Sequence, residues 1–374
     1  MNNCNQSKVY FIGLDVEDEE DQMHLKIQRL FDAAEFNSFL KKGDLTAIKV
    51  HFGEMGNSTF IPPWYIASIV AKIREAGAKP FVTDTNTLYR GKRRNAVDHI
   101  YTAILHGFTY ATIGAPVVIA DGLTGKNYTE VEINQKHFKK VKIASDLVNA
   151  DAVIFSSHFK GHMMAGFGGT LKNIGMGCAS VQGKKEQHNV RPYLPEIEKC
   201  VGCGVCKNHC PADAIEIVEG KYTVDKDACV GCGDCIRYCP EGALAFNWES
   251  DIAEFTERLI EYAYGVWKIH QKKMGFINFV INITPECDCY NLSEIPIVKD
   301  IGILASTDPV ALDKACYDLV NKQQGSQDSR MESNYNPGED KFLGVHKETR
   351  GDIQFSYSEK LGMGTTSYEL IKIK

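Results

Sequence analysis

Eight of the thirteen cysteines of this chain lie between Cys200 and Cys239. They form two runs, Cys200-Val-Gly-Cys203-Gly-Val-Cys206-Lys-Asn-His-Cys210-Pro211 and Cys229-Val-Gly-Cys232-Gly-Asp-Cys235-Ile-Arg-Tyr-Cys239-Pro240. Both follow C-x2-C-x2-C-x3-C-P. The second copy repeats the first 29 residues later, down to the pairs Gly202/Gly231, Gly204/Gly233 and Ala214/Ala243, so the pattern is an internal duplication. Thiols clustered this tightly read as metal ligands rather than disulfides in a reducing compartment. Soft thiolates hold iron, and the short spacing lets three sulfurs of one loop wrap a cubane. The glycines permit tight turns and leave backbone N–H groups free to face sulfur. Iron–sulfur chemistry is therefore the first expectation. A structural zinc site is the alternative, and two matched four-cysteine runs, each followed by Pro, argue against it.

Three further constellations carry groups able to bind or transfer protons. KVHFGEMGN (49–57) holds His51 and Glu54. VTDTNTLYRGKR (82–93) holds Asp84, Asn86 and Arg90. SSHFKGHMMAGFGGTLKNIGMGCASVQGKKEQH (156–188) holds His158, Lys160, His162, Lys172, Cys178 and His188. For any one of these histidines alone, a solvent-exposed or structural role weighs as much as a functional one. Their joint position after separate strands points to one pocket, for which His51, His158, Lys160, His162, Lys172 and Cys178 are the candidates. Such Lys and His side chains suit an anionic small molecule or a proton relay. The glycines Gly166, Gly168 and Gly169 precede an expected helix whose free N–H groups would bind an anion. A fourth feature, Thr284-Pro-Glu-Cys287-Asp-Cys289, places two thiols at i and i+2. Cys287 and Cys289 suit an additional mononuclear metal shared with a histidine, or a redox dithiol. Two unrelated buried thiols is the plainer alternative. Cys4 and Cys316 carry no such signal, and Cys316 is expected in a helix core.

Elements of two kinds must position these groups. Strands are expected at 9–15, 46–52, 79–85, 116–122, 151–157, 276–283 and 300–306. Helices are expected at 23–40, 61–77, 96–108, 141–150, 255–270 and 308–322, each from apolar recurrence at three and four residues. The alternation predicts an α/β fold, a parallel or mixed sheet flanked by helices. It breaks at about Arg191 and resumes after about Asn247. The cysteine-rich segment therefore reads as a ferredoxin-like α+β module (191–247) inserted between two parts of one α/β domain (1–190 and 248–374), with a small hairpin at 215–225. Open α/β sheets bind ligands beyond their strand ends, where the first three constellations fall. The polar stretch 323–341 is expected to be a mobile loop, with a lid as the alternative.

The 374 residues are 44% hydrophobic, enough for a large core, and the formal net charge is −6. That balance predicts neither a nucleic-acid footprint nor a membrane surface. The N-terminus lacks a basic segment followed by an apolar one, and no apolar run reaches membrane-spanning length, so a cytoplasmic protein is expected. Neither a radical-type CxxxCxxC motif nor a dinucleotide G-x-G-x-x-G after a strand is present.

Residues 192–247 resemble a bacterial two-cluster ferredoxin. That resemblance implies two [4Fe–4S] clusters with crossed fourth ligands. Cys200, Cys203, Cys206 and Cys239 would hold one cluster, and Cys229, Cys232, Cys235 and Cys210 the other. Over nearly its full length the chain is similar to the domain-of-unknown-function-362 family of iron–sulfur proteins. VHFGEMGN, FVTDTNTLYRG, SHFKGH…GFGGTLKNIGMGC, the double cysteine motif, PECDC and ILASTDPVALD stand in the same order. HMMAGFGGTLK (162–172) also resembles a run in the lactate racemase family, which would map His162 and Lys172 onto that family's nickel-pincer site.

The combined expectation is an iron–sulfur redox protein, with an oxidoreductase activity of its own as one form of it. Electrons would pass between a partner, either a redox protein or a small-molecule donor or acceptor, and a ligand pocket in the α/β domain. Two alternatives stand beside it: a pure electron carrier with an α/β docking platform, and a metal or cofactor assembly factor.

Overall fold

The computed structural model describes residues 6–15, 22–188, 192–245 and 251–373. Cys4 lies outside them. The main sheet has eight strands: β1 (Ser7–Gly13), β2 (Leu45–Lys49), β3 (Lys79–Asp84), β4 (Val117–Ile119), β5 (Ala152–His158), β6 (Met274–Val280), β7 (Gly302–Ser306) and β8 (Tyr368–Lys372). Their spatial order is β8-β1-β7-β6-β5-β2-β3-β4. β7 runs antiparallel to both neighbours, and every other pair is parallel. The fold is thus α/β with a mixed sheet, as the alternating pattern predicts.

Helices cover both faces: α1 (Met23–Ala33), α2 (Pro63–Glu75) and α3 (Ala96–Leu105) early in the chain, then α4 (Thr170–Cys178), α5 (Val181–His188), α6 (Asp251–His270), α7 (Pro309–Asn321) and α8 (Asp352–Lys360). Strand β5, Ala-Val-Ile-Phe-Ser-Ser-His, is buried at every position, which is why it reads as a nearly continuous apolar run. Its alternate side chains enter two cores. Val153 and Phe155 pack with Leu171, Ile174, Leu259 and Val310 from α4, α6 and α7. Ile154 packs with Ile27, Leu30, Ile66 and Ile69 from α1 and α2.

Helix termini follow local chemistry. Pro63 opens α2, and Gly77 takes the left-handed conformation (φ +81°) just beyond it. Asp308 caps α7 by accepting from the Val310 and Ala311 amides. Helix α4 approaches α6 so closely that a Cβ on Gly175 would lie 2.3 Å from the Leu259 carbonyl oxygen.

Several boundaries differ from expectation. The helix expected at 141–150 is instead a strand, Lys140–Ala144, paired with Tyr128–Glu132, followed by one turn of helix at Ser145–Val148. Val141 and Ile143 are buried while Lys140 is exposed, so Lys-Val-Lys-Ile carries a period of two that the following Ser-Asp-Leu-Val hides. The helix expected at 23–40 ends at Ala33; Glu35 is left-handed (φ 56°) and Phe36–Phe39 form a 3-10 turn. The stretch 323–341 is irregular but tethered. Lys341 is fully buried, its Nζ donating to the carbonyls of Asn336 (2.6 Å) and Glu339 (2.8 Å), and Met331 joins the core.

Within 192–245, the antiparallel hairpin Ile215–Val218/Lys221–Val224 forms as expected. Tyr193 and Ala245 pair through two backbone hydrogen bonds, so the two ends of the segment lie side by side.

Candidate functional site

Parallel strands β2, β3 and β5 deliver Lys49, Asp84 and His158 to one edge of the sheet, and the loop after β6 delivers Cys287–Tyr290 to the same edge. Helix α4 and its preceding hairpin add His162, Lys172 and Asn173. The second cysteine loop adds Cys232, Gly233, Asp234, Arg237 and Tyr238. Together they line a cavity of about 550 Å³.

The wall has a charged scaffold. Asp84 pairs with Lys49 (2.9 Å) and Arg93 (3.1 Å), and Arg93 also meets Glu54 (3.3 Å). Burial alone would raise the Asp84 carboxyl, but the Lys49 ammonium together with the His99 and His51 rings outweighs it and holds the group well below the usual carboxylate range. Glu54 accepts the Lys92 amide (2.7 Å), and Asn86 binds Asp121 (2.9 Å), so both are structural. Arg90 ties in the cysteine module, donating to the Asn208 carbonyl (2.6 Å) and reaching Asp213 (3.3 Å).

The pocket candidates separate into three groups. His158 and Lys160 serve a turn. His158 Nδ1 lies 2.9 Å from Asp288 and its Nε2 lies 2.7 Å from the Ile281 carbonyl, so both ring nitrogens face oxygens. Lys160 Nζ binds Asp288 (2.9 Å) and the His158 carbonyl (3.1 Å). Asp288 is fully buried, and after the cost of burial His158 and Lys160 hold its carboxyl far down. His158 and Lys160 both line the cavity, and their polar atoms bind Asp288 and backbone. The expectation that Cys178 belongs to the pocket is corrected. The residue lies in the apolar core off the cavity, and burial pushes its thiol up to about 12. Cys316 is core, as expected.

His51, His162 and Lys172 face open space. His51 Nδ1 accepts the Gly53 amide (3.0 Å), which leaves Nε2–H directed at Cys289 Sγ, 3.6 Å away. His162 Nδ1 accepts the amides of Met164 (3.2 Å) and Ala165 (3.0 Å). Burial, then Arg93, lowers the His51 pKa; burial, then Lys172, lowers that of His162. Both rings are therefore neutral at neutral pH. Among the described residues, no hydrogen bond or ion pair holds the Lys172 ammonium. Burial disfavours its charge, but the Cys287 and Cys289 sulfurs and the Asp288 carboxylate together outweigh burial and raise its pKa.

The glycine-rich turn does not bind an external anion as expected. The Thr170 and Leu171 amides at the start of α4 both donate to the Asp313 carboxylate (2.8 Å each). A Cβ on Gly169 would lie 2.4 Å from that carboxylate, and Gly166 packs against Gly351, away from the cavity. Only Gly168 and Gly169 reach the cavity wall. The N-terminal site exists, but Asp313 occupies it.

Cys287 and Cys289 both line the cavity, and the intervening Asp288 does not. A turn closed by Tyr290 N–H to Cys287 O (3.1 Å) holds them, and the Cys289 amide donates to Cys287 Sγ (3.4 Å). The hydrogen bond from Cys287, then Lys172 and His51, hold the Cys289 thiol low against its burial. Burial raises its partner Cys287. Among the described residues, no three His, Cys, Asp or Glu side chains gather to hold a single metal ion.

The motif cysteines lie close to one another in the folded chain. Cys200, Cys203, Cys206 and Cys239 line one small cavity whose remaining walls are largely apolar, with Ile217, Tyr222 and Leu244 among them. Cys232 neighbours Cys235 and Cys210, and Cys235 neighbours both Cys229 and Cys206. The duplicated loops share their backbone: Gly202 and Gly231 have φ +66° and +67°, and Gly204 and Gly233 have +76° and +82°. Amides point at sulfur at matched positions, Ala214 N to Cys210 Sγ (3.3 Å) and Ala243 N to Cys239 Sγ (3.4 Å). His209 and Tyr238, also related by the repeat, stack at 3.8 Å. Four thiols around an apolar pocket, with N–H groups aimed at sulfur, fit an iron–sulfur cluster.

A family model described as a domain of unknown function (DUF362) matches residues 46–318. The chain belongs to the DUF362 family. No curated protein matches it. Among solved structures, the lactate racemase apoprotein from Thermoanaerobacterium thermosaccharolyticum is similar at 16% identity and a TM-score of 0.35, over 74% of this chain and 51% of its own. A structural-genomics protein from Thermotoga maritima is similar at 10% identity and a TM-score of 0.38, over 92% of this chain and 61% of its own. This DUF362 chain therefore spans about half to three fifths of the length of those structures. No helix among the described residues is long and apolar enough to cross a membrane.

Sequence reasoning missed several members of this DUF362 site. Lys49 and Arg93 sit inside the quoted constellations but are not singled out, because a basic residue near a strand end looks solvated. Asp288 is hidden between its two cysteines. Arg237 had a signal: it occupies the x3 gap of the second cysteine run, where the first run has Lys-Asn-His. It lies 3.2 Å over the Tyr290 ring.

Proposed function

We propose that this chain is an iron–sulfur redox protein in which two [4Fe–4S] clusters exchange electrons with an anionic small molecule held in the cavity. Cys200, Cys203, Cys206 and Cys239 would hold one cluster; Cys210, Cys229, Cys232 and Cys235 would hold the other. When bound, such clusters supply electrons one at a time at low to moderate potential. The chain's own residues do the rest. Lys172 and Arg237 attract a carboxylate-like group, and the neutral His51 and His162 are placed to take up or release protons at their cavity-facing nitrogens. Asp288, gripped by His158 and Lys160, fixes the turn that closes the site. The external partner is a one-electron carrier, and the compartment is the reducing cytoplasm.

One observation carries this reading. The second cysteine loop is itself part of the cavity wall, with Cys232, Gly233 and Arg237 facing His162, Lys172 and Cys289 across the same space. A pure carrier has no need of such a cavity. Anaerobic reconstitution with iron and sulfide tests the reading: about eight of each should bind per chain. Replacing His162 with Ala should leave iron content and electron acceptance intact while turnover of the cavity ligand falls by about 100-fold. Binding of zinc in place of iron would overturn the cluster assignment. Unchanged turnover in that variant would return the protein to the carrier class.

A further inference from the structure

We infer that Cys287 and Cys289 form a redox-active dithiol that reduces a small anionic disulfide bound in the cavity. This names the substrate class of the same site. It rests on the proposed electron supply only for the return of the dithiol to its reduced state.

Geometry carries the inference. Both sulfurs face the cavity while Asp288 between them points the other way, into His158 and Lys160. The turn is thus anchored by its middle residue, and the two thiols are offered on one side. The Cys289 amide touches Cys287 Sγ at 3.4 Å, which places the pair within reach of each other. Cys289 is the attacking member. It is the more exposed of the two, and His51 Nε2–H points at its sulfur from 3.6 Å. Lys172, without a carboxylate partner among the described residues, supplies positive charge beside the pair and a docking point for an anionic ligand. Cys287, only 3% exposed, is placed to resolve rather than attack. Tyr290, next in the chain, lies under Arg237 of the second cysteine loop, so the dithiol adjoins the proposed electron source.

The step balances. The Cys289 thiolate attacks one sulfur of the ligand disulfide, forming a mixed disulfide and releasing one ligand thiolate, which takes the Cys287 proton. Cys287 sulfur then attacks Cys289 Sγ, expels the second ligand thiolate and closes the Cys287–Cys289 disulfide. The ligand gains two electrons and the dithiol loses two. Return to the dithiol needs two electrons, delivered singly by a reduced one-electron carrier through the cysteine module, together with the proton that restores Cys287.

The test uses anaerobically purified holoprotein and dithiodipropionate, a small dicarboxylate disulfide. Samples are quenched with iodoacetamide, the peptide containing both cysteines is weighed, and iron content is measured in parallel. The expected result is loss of two hydrogens from that peptide, with release of about two thiols per chain. Cys287→Ser should stall with one mercaptopropionate on Cys289, and Cys289→Ser should not react. Lys172→Met should slow the reaction by at least about tenfold. A wild-type peptide that stays fully alkylated while iron is complete overturns the dithiol, as does stoichiometric non-cluster metal on the pair. A dithiol that reacts in protein lacking iron would sustain this inference; failure of a reduced one-electron carrier to regenerate the dithiol in iron-complete protein would defeat the electron-supply reading instead.

Discussion

Two lysines that line the same cavity, Lys160 buried and Lys172 half-buried, should respond differently to the same substitution. Lys160 Nζ lies 2.9 Å from the fully buried Asp288 and 3.1 Å from the His158 carbonyl. Lys160→Met leaves Asp288 with His158 alone. Breaking a buried ion pair from one side costs about 3–5 kcal/mol, and the surviving His158 contact puts the value near the lower end. In a chain of this size, about 3 kcal/mol corresponds to a melting shift of roughly 5 °C. Lys172 is half-buried at the cavity wall, and among the described residues no carboxylate is paired to it. Lys172→Met orphans no carboxylate, and the nearby Cys289 sulfur recovers by taking a proton. Stability should then change by less than about 1 kcal/mol in either direction. Anaerobic thermal unfolding of the two variants, at matched iron content, reads the difference directly. If Lys172→Met melts as far below the parent as Lys160→Met, the division between turn-holding and ligand-facing lysines is wrong.

Other consequences follow from the same structure. Asp313→Ala strips the acceptor from the Thr170 and Leu171 amides and from Asn278 Nδ2, so it should cost about 3 kcal/mol in denaturant unfolding, with Asp313→Asn recovering part of the loss. Gly175→Ala places a Cβ 2.3 Å from the Leu259 carbonyl oxygen and should cost about 1–3 kcal/mol by driving α4 from α6. Burial lowers His99 and His188 to about 4, so both stay neutral in the folded chain while the unfolded chain takes up protons below about 6.5. Stability should therefore be full above that pH and fall between about 6.5 and 4, by about 2 kcal/mol per histidine at pH 5. A melting profile that is flat from pH 7 to 5 would contradict those burials.

The sheet was legible because its central strands are uniform in character. Ala-Val-Ile-Phe and Gly-Phe-Ile-Asn-Phe-Val are buried on both faces, and their apolar runs stand out without reference to the rest of the chain. The strand at Lys140–Ala144 was not, because its two buried positions merge with the next turn into an apparent helical period. The cysteine groups were legible because metal-ligand spacing is local. The cavity was only partly so. His51, His162 and Lys172 could be placed at strand and helix ends, but the setting of that wall depends on Asp288 and Asp313, whose partners His158, Lys160, Thr170 and Leu171 lie more than a hundred residues away. That long-range pairing also explains the correction to the glycine-rich turn. A free helix N-terminus and a distant carboxylate are separately visible in sequence, and only folding brings Asp313 onto it. Cys178 differs again: it closes α4 facing the core, and its neighbours in sequence do not distinguish that face from the cavity side.

Anomalous scattering at the iron edge, from crystals of the protein grown without oxygen, tests the central claim most directly. The account predicts two multi-iron peaks, one among Cys200, Cys203, Cys206 and Cys239 and one among Cys210, Cys229, Cys232 and Cys235, with the second beside the cavity that holds Lys172 and Cys289. Peaks at the zinc edge instead, or a second iron site walled off from that cavity, would contradict it.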